Sequence, residues 1–214
     1  MAVIFLFICL LSLFFLYQGT GRNKRLLKYF ILWQCIVGTL AYLEVFLDNP
    51  TLFPLVILLT IVLIAFALRK ITITHIHTNF LLANHILRIP VELILYQLFL
   101  KGEIPRIMTY HGYNFDIVMG VSAVFIIVFK LLTELHLNLK FIWFWNILGI
   151  LFLTIIVSLA ILSSPLPIQQ FAFDQPNIAV LMFPYCFLPT CVVPIVLLSH
   201  IYWLKINALT YNVH

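Results

Sequence analysis

An arginine, a glutamate and a histidine share one eight-residue stretch, His85-Ile-Leu-Arg88-Ile-Pro90-Val-Glu92, whose other residues are all apolar. On a helix turning about 100° per residue, Arg88 lies about 60° from His85, and Glu92 and Tyr96 fall within about 20° of it. Thr78 joins the same stripe. Each side chain suits polar recognition. Imidazole exchanges a proton near neutral pH, guanidinium grips carboxylates and other anions in a fixed fork, and a carboxylate takes up a proton or a cation. Arg88 and Glu92 also stand four residues apart, the spacing at which opposite charges on a helix pair. The spacing therefore predicts an Arg88–Glu92 ion pair with two readings. It is either a structural pair that fixes helix packing or part of a site for an ion, a proton or a small polar solute. Pro90 sits between them and removes a backbone donor, which leaves the carbonyl of Ile86 in need of another partner.

Further polar residues fall at matching depths. At 1.5 Å per residue, His85 lies about 9 Å from the inner end of its apolar run, Asn146 about 10 Å and His200 about 6 Å from theirs. They define one layer with Arg88 just above it, and the expected site is His85, Arg88, Glu92, Tyr96, Asn146 and His200. Two histidines at one depth also raise haem or metal ligation as an alternative. The segment Lys101 to Asp116 contains two glycines, a proline and mixed charges, which suggests an ordered loop over the helix ends. There Asn114 or Asp116 is expected to cap the next helix, and both could receive solute from outside. Glu44 reads as an interfacial charge, and His75 and His77 as a surface H-x-H pair unsuited to a metal on a helix. Pro184, Pro189 and Pro194 recur every five residues in the last run, where they would kink it for packing or line a site.

The elements that must hold these groups are apolar. Of 214 residues, 64% are hydrophobic and 9% charged, against about 25% charged in soluble domains. A helix needs about 20 apolar residues to cross a hydrocarbon core. Seven runs qualify: about 2–19, 26–47, 51–68, 79–100, 115–133, 139–162 and 178–204. Gly19-Thr20-Gly21, the turn at Asp48-Asn49-Pro50, Arg69-Lys70 and the proline-rich Ser163–Asn177 loop separate some of them. The expected fold is a single all-α domain, a polytopic bundle of about seven transmembrane helices. No positive charge precedes the first run and a basic cluster follows it, as in an uncleaved span inserted N-terminus outward. Arg22, Lys24, Arg25, Lys28, Arg69, Lys70, Lys130, Lys140 and Lys205 then lie on the cytoplasmic side, and only Lys101 and Arg106 lie outside. That bias puts the C-terminus in the cytoplasm. Trp33, Trp143, Trp145 and Trp203 fall toward the inner interface, where aromatic belts form.

A net charge of +5 would suit nucleic acid, but the basic residues sit between apolar runs and form no patch with exposed aromatics, so no nucleic-acid partner is expected. Cys9, Cys35, Cys186 and Cys191 all lie inside apolar runs, which argues against a disulfide framework or a zinc knuckle. No phosphate-binding glycine loop, dinucleotide fingerprint, H-E-x-x-H or G-x-S-x-G is present. The last run has no mid-membrane lysine for a retinal Schiff base. The reading that follows is a bacterial inner-membrane protein whose fourth helix carries a polar site for a small polar solute, ion or proton, with the cofactor open. Its partners are the lipid bilayer and, if the role is a non-catalytic structural one, other membrane proteins. A membrane-embedded enzyme acting on lipid is the remaining alternative.

Overall fold

The computed structural model describes residues 1–70, 76–133 and 138–211. His75 and His136 lie outside the described residues. The described chain is all-helical, with no strand. Its helices are α1 (Ala2–Gly19), α2 (Lys24–Tyr42), a single turn α3 (Val45–Asp48), α4 (Phe53–Lys70), α5 (Thr78–Ile86), α6 (Arg88–Leu100), α7 (Asp116–Thr133), α8 (Leu139–Leu162) and α9 (Val193–Tyr211). Among the described residues, five helical segments are long and apolar enough to cross a membrane: Ala2–Gly19, Pro50–Arg69, Asp116–Thr133, Leu139–Leu162 and Leu188–Ile206.

The other two apolar runs are interrupted, each for a local reason. The second ends at Tyr42, after which Glu44 takes a left-handed conformation (φ 59°) and the chain turns into α3. The fourth is divided at Leu87 into α5 and α6. Pro90 explains that break, because it offers no N–H to the Ile86 carbonyl and its ring crowds that carbonyl. The last run is helical only in its second half. Ala179–Leu181 forms a short 3-10 turn, Leu188–Val192 a π-turn, and regular helix begins at Val193. Pro184 and Pro189 interrupt the ladder, whereas Pro194 falls in the first turn of α9, where a missing N–H costs nothing. Gln34 of α2 fastens the π-turn: its Nε2 donates to the Thr190 carbonyl at 2.9 Å, and its Oε1 accepts from the Thr190 hydroxyl at 2.9 Å.

The α5–α6 rod is central. α5 packs against α1, α7 and α9, α6 packs against α7 and α1, and α8 packs against α9. Leu16, Phe30, Leu81, Leu98, Met108 and Leu198 are among the buried side chains of the main core. The 101–115 segment does not merely roof the helix ends. Ile104, Met108, Thr109 and Asn114 are buried, so this loop folds back along α6. Gly112 permits the fold, since a Cβ there would stand 2.5 Å from the Arg106 carbonyl oxygen and 2.6 Å from Ile107 Cα. The segment therefore delivers Asn114 and Asp116 beside Glu92 and Arg88 rather than leaving them at the helix ends.

Candidate functional site

Two polar groupings meet in the interior. The first is built by α6, the folded-back loop and the start of α7. Arg88 is 3% exposed and Glu92 2%. Arg88 Nε lies 3.7 Å from Asp116 Oδ2. The sequence spacing predicts Glu92 as the partner, and this is corrected: among the described residues, the ion pair Arg88 forms is with Asp116. Glu92 Oε1 instead accepts from Asn114 Nδ2 at 2.7 Å. The cause is tertiary. The loop brings a second carboxylate to Arg88 from another helix, which helix periodicity cannot reveal. Asn114 also donates from Nδ2 to the Met108 carbonyl at 3.0 Å, and its Oδ1 accepts the Asp116 N–H at 3.1 Å. One carboxamide thus links the two acids. Asn114 and Asp116, expected as a helix cap and an outer entrance, are both buried beside Arg88 and Glu92. Asn114 does meet the first residue of α7, whereas Asp116 directs its carboxylate at Arg88.

The second grouping lies where α5, α8 and α9 converge. The His85 and His200 rings are 4.1 Å apart between centroids, tilted by 39°. Trp145 stands edge-on to His85 at 5.1 Å and lies 5.3 Å from His200. Asn146 Oδ1 lies 2.8 Å from His200 Nδ1, and its Nδ2 donates to the Ile142 carbonyl at 2.8 Å. Gly149, one turn from Trp145, makes the room: a Cβ there would stand 2.3 Å from His200 Cε1 and 2.4 Å from His200 Nε2. The layer extends to α1, where the Ser12 hydroxyl donates to Asn84 Oδ1 at 2.9 Å.

Tyr96 stays apart from both groupings. Its ring lies 5.2 Å from Tyr110 and 5.1 Å from His111, in an aromatic cluster with the loop. Trp145 and Trp203 are buried and pack on each other at 5.9 Å, facing the bundle interior. Composition alone marks a tryptophan as amphipathic but not as facing inward. Ser12, Asn84 and Trp145 are site neighbours the sequence reading passed over. The available signal was a polar residue within an apolar run, which Ser12 and Asn84 both are.

The protein leaves much of this polarity unanswered. Among the described residues, all three guanidinium nitrogens of Arg88, both ring nitrogens of His85, His200 Nε2, Glu92 Oε2, Asp116 Oδ1 and Asn84 Nδ2 are buried without a hydrogen-bond partner. Native interiors hold only a few such atoms per hundred residues, and each calls for an explanation. Among the described residues, no group of three or more His, Cys, Asp or Glu is arranged to hold a metal.

Fold and site together define an all-helical bundle with an ionisable seam enclosed by apolar helices. The model of one protein family, described as a domain of unknown function (DUF8737), matches residues 46–206, and the chain belongs to that family. The matched segment contains every seam residue named above except Ser12. No curated protein and no solved structure matches the chain.

Proposed function

We propose that the chain is an integral membrane protein of the bacterial inner membrane, crossing the bilayer seven times with the N-terminus outside and the C-terminus cytoplasmic. Its interior seam, on this reading, binds a small polar solute, an ion or a proton. The surface supports the membrane assignment. Val3, Phe7, Leu10 and Phe14 of α1 and Leu55, Leu58, Leu59 and Val62 of α4 are all exposed, while arginine, carboxylates and imidazoles fill the interior. Apolar surface on that scale suits lipid. Ionisable residues inside a membrane face the bundle and mark functional pathways by default. The α5–α6 rod, Thr78 to Leu100, is long enough to serve as one span despite its break. At one end of the bundle, Lys130 bonds Asn79 and Lys205 bonds the Leu68 carbonyl, in keeping with a cytoplasmic basic edge. Cysteines introduced in an otherwise cysteine-free chain test this topology. One at Gln170 should react with an impermeant maleimide from outside, and one appended after His214 should react only once the membrane is opened. The reverse labelling would refute the orientation.

The observation that carries the binding assignment is Arg88, a buried guanidinium whose three nitrogens find no hydrogen-bond acceptor among the described residues. A buried charge left without hydrogen bonds is strongly destabilising, so a group from outside the chain is the natural complement. The rival reading of a structural subunit draws on the enclosure of the seam. An enzyme acting on lipid has less support. The lateral groove of about 330 Å³ between α4, α8 and the π-turn is lined by neither His85 nor Asp116. A melting screen in detergent over ions, amino acids and sugars tests the reading, run on wild type beside the triple replacement Arg88→Met, Glu92→Gln and Asp116→Leu, which leaves no stranded charge. Apolar side chains of similar volume often replace a buried pair at little cost, so the variant should stay folded. A ligand should raise the wild-type midpoint and leave the variant unmoved. A ligand that stabilises both equally would locate binding elsewhere and favour the structural role.

A further inference from the structure

The charges around Arg88 can be counted. α6 contributes one cation, Arg88, and one acid, Glu92, and α7 contributes a second acid, Asp116. The folded-back loop adds the neutral Asn114. α5 adds Asn84 and the imidazole of His85, α9 the imidazole of His200, α8 Asn146 and Trp145, and α1 Ser12. The basic Lys130 is engaged at Asn79, nine residues from Arg88 along the α5–α6 rod. With neutral imidazoles and both acids ionised, the enclosed group would carry one surplus negative charge. A net charge enclosed by apolar helices is the arrangement a low-dielectric interior tolerates least.

Asn114 fixes the geometry of the two acids. It donates to Glu92 Oε1 and accepts the backbone N–H of Asp116, whose Oδ2 faces Arg88; Glu92 Oε2 and Asp116 Oδ1 remain buried without a partner among the described residues. We infer that the seam takes up a single positive charge, a proton or a monovalent metal cation, held between Glu92 and Asp116. This inference rests on the binding reading and names what the acidic side of the seam takes up; the Arg88 donors need an acceptor, which a cation does not supply. An anion would add to the surplus charge. A divalent cation would reverse it. A proton and an alkali ion share the required charge, and they are told apart by what they do to the carboxyl group.

The test uses the full chain in detergent at neutral pH, with Glu92→Gln and Asp116→Asn as separate variants. Each variant leaves one carboxylate to balance Arg88. The first measurement is the infrared carboxylic-acid carbonyl band in H₂O and D₂O. The second is the melting midpoint in lithium, sodium or potassium chloride against choline chloride at equal ionic strength. The chain has only seven Asp and Glu residues, so few groups compete for the band. A bound proton gives an isotope-sensitive band in wild type that is absent from both variants, with no preference among the salts. A bound metal cation gives no band. One alkali salt instead raises the wild-type midpoint by several degrees, and the shift vanishes in both variants. A wild type with neither signal overturns the inference even if the variants fail to fold, as does a signal that persists in both. The solute screen remains separate, since an amino acid or sugar that stabilises wild type alone would keep the site while refuting its assignment to a single positive charge.

Discussion

Neutralising both acids at once, by Glu92→Gln together with Asp116→Asn, is expected to destabilise the fold by about 3–5 kcal/mol. The two changes strand Arg88, which is 3% exposed and has no other carboxylate beside it among the described residues. Either change alone should cost much less, because each leaves one carboxylate to face the guanidinium: Asp116 already stands 3.7 Å from it, and Glu92 lies one helical turn along α6. The effect is therefore non-additive, the signature of groups that share one partner. Denaturation of the three variants in mixed micelles measures it. Two small single costs and a large double cost are the expected pattern. A double variant as stable as either single one would show that Arg88 does not depend on these acids.

The second large effect is steric. Gly149→Leu should cost about 1–3 kcal/mol or more, the range for overfilling a packed interior. Even the first added carbon would stand 2.3 Å from His200 Cε1. His200 has little room to yield, because Trp145 and His85 flank its ring and Asn146 holds its Nδ1. Relief should come from shrinking the obstacle. Gly149→Leu combined with His200→Ala should recover part of the loss. Melting midpoints of the single and combined variants read this out. No recovery in the combined variant would place the strain outside the His200 contact.

How legible this was in the sequence depends on the range of the interaction. Apolar runs and their punctuation gave helix positions well, since α1, α4, α7 and α8 nearly coincide with the runs at 2–19, 51–68, 115–133 and 139–162. Where proline acted, continuity was overestimated. Pro90 divides the fourth run at Leu87, and Pro184 and Pro189 delay regular helix to Val193. A periodicity argument counts apolar residues and treats a missing N–H as a local defect rather than a boundary.

The site shows the same division. Residue type and depth point to His85, Arg88, Glu92, Asn146 and His200, and the fold gathers these in two adjoining groups. Partner choice was not legible. Arg88 faces Asp116 because a buried loop, closed by the tight approach at Gly112, carries the start of α7 inward. A loop's path depends on where Ile104 and Met108 find a core to pack in, and no spacing rule within one helix contains that information. Tyr96 lies apart from both groups for a related reason. It shares the helix face with Glu92 but lies a turn farther along, where Tyr110 and His111 meet it.

The most direct test of the central claim is a high-resolution structure of the chain in lipid nanodiscs, read at the Arg88 guanidinium. The account predicts an ordered water, ion or solute within hydrogen-bond distance of Arg88 or of the free oxygens of Glu92 and Asp116. It also predicts apolar helix faces such as Phe7–Leu10 and Leu55–Val62 against lipid. An Arg88 whose nitrogens are all bonded to protein groups, in a dry and fully packed seam, would contradict it.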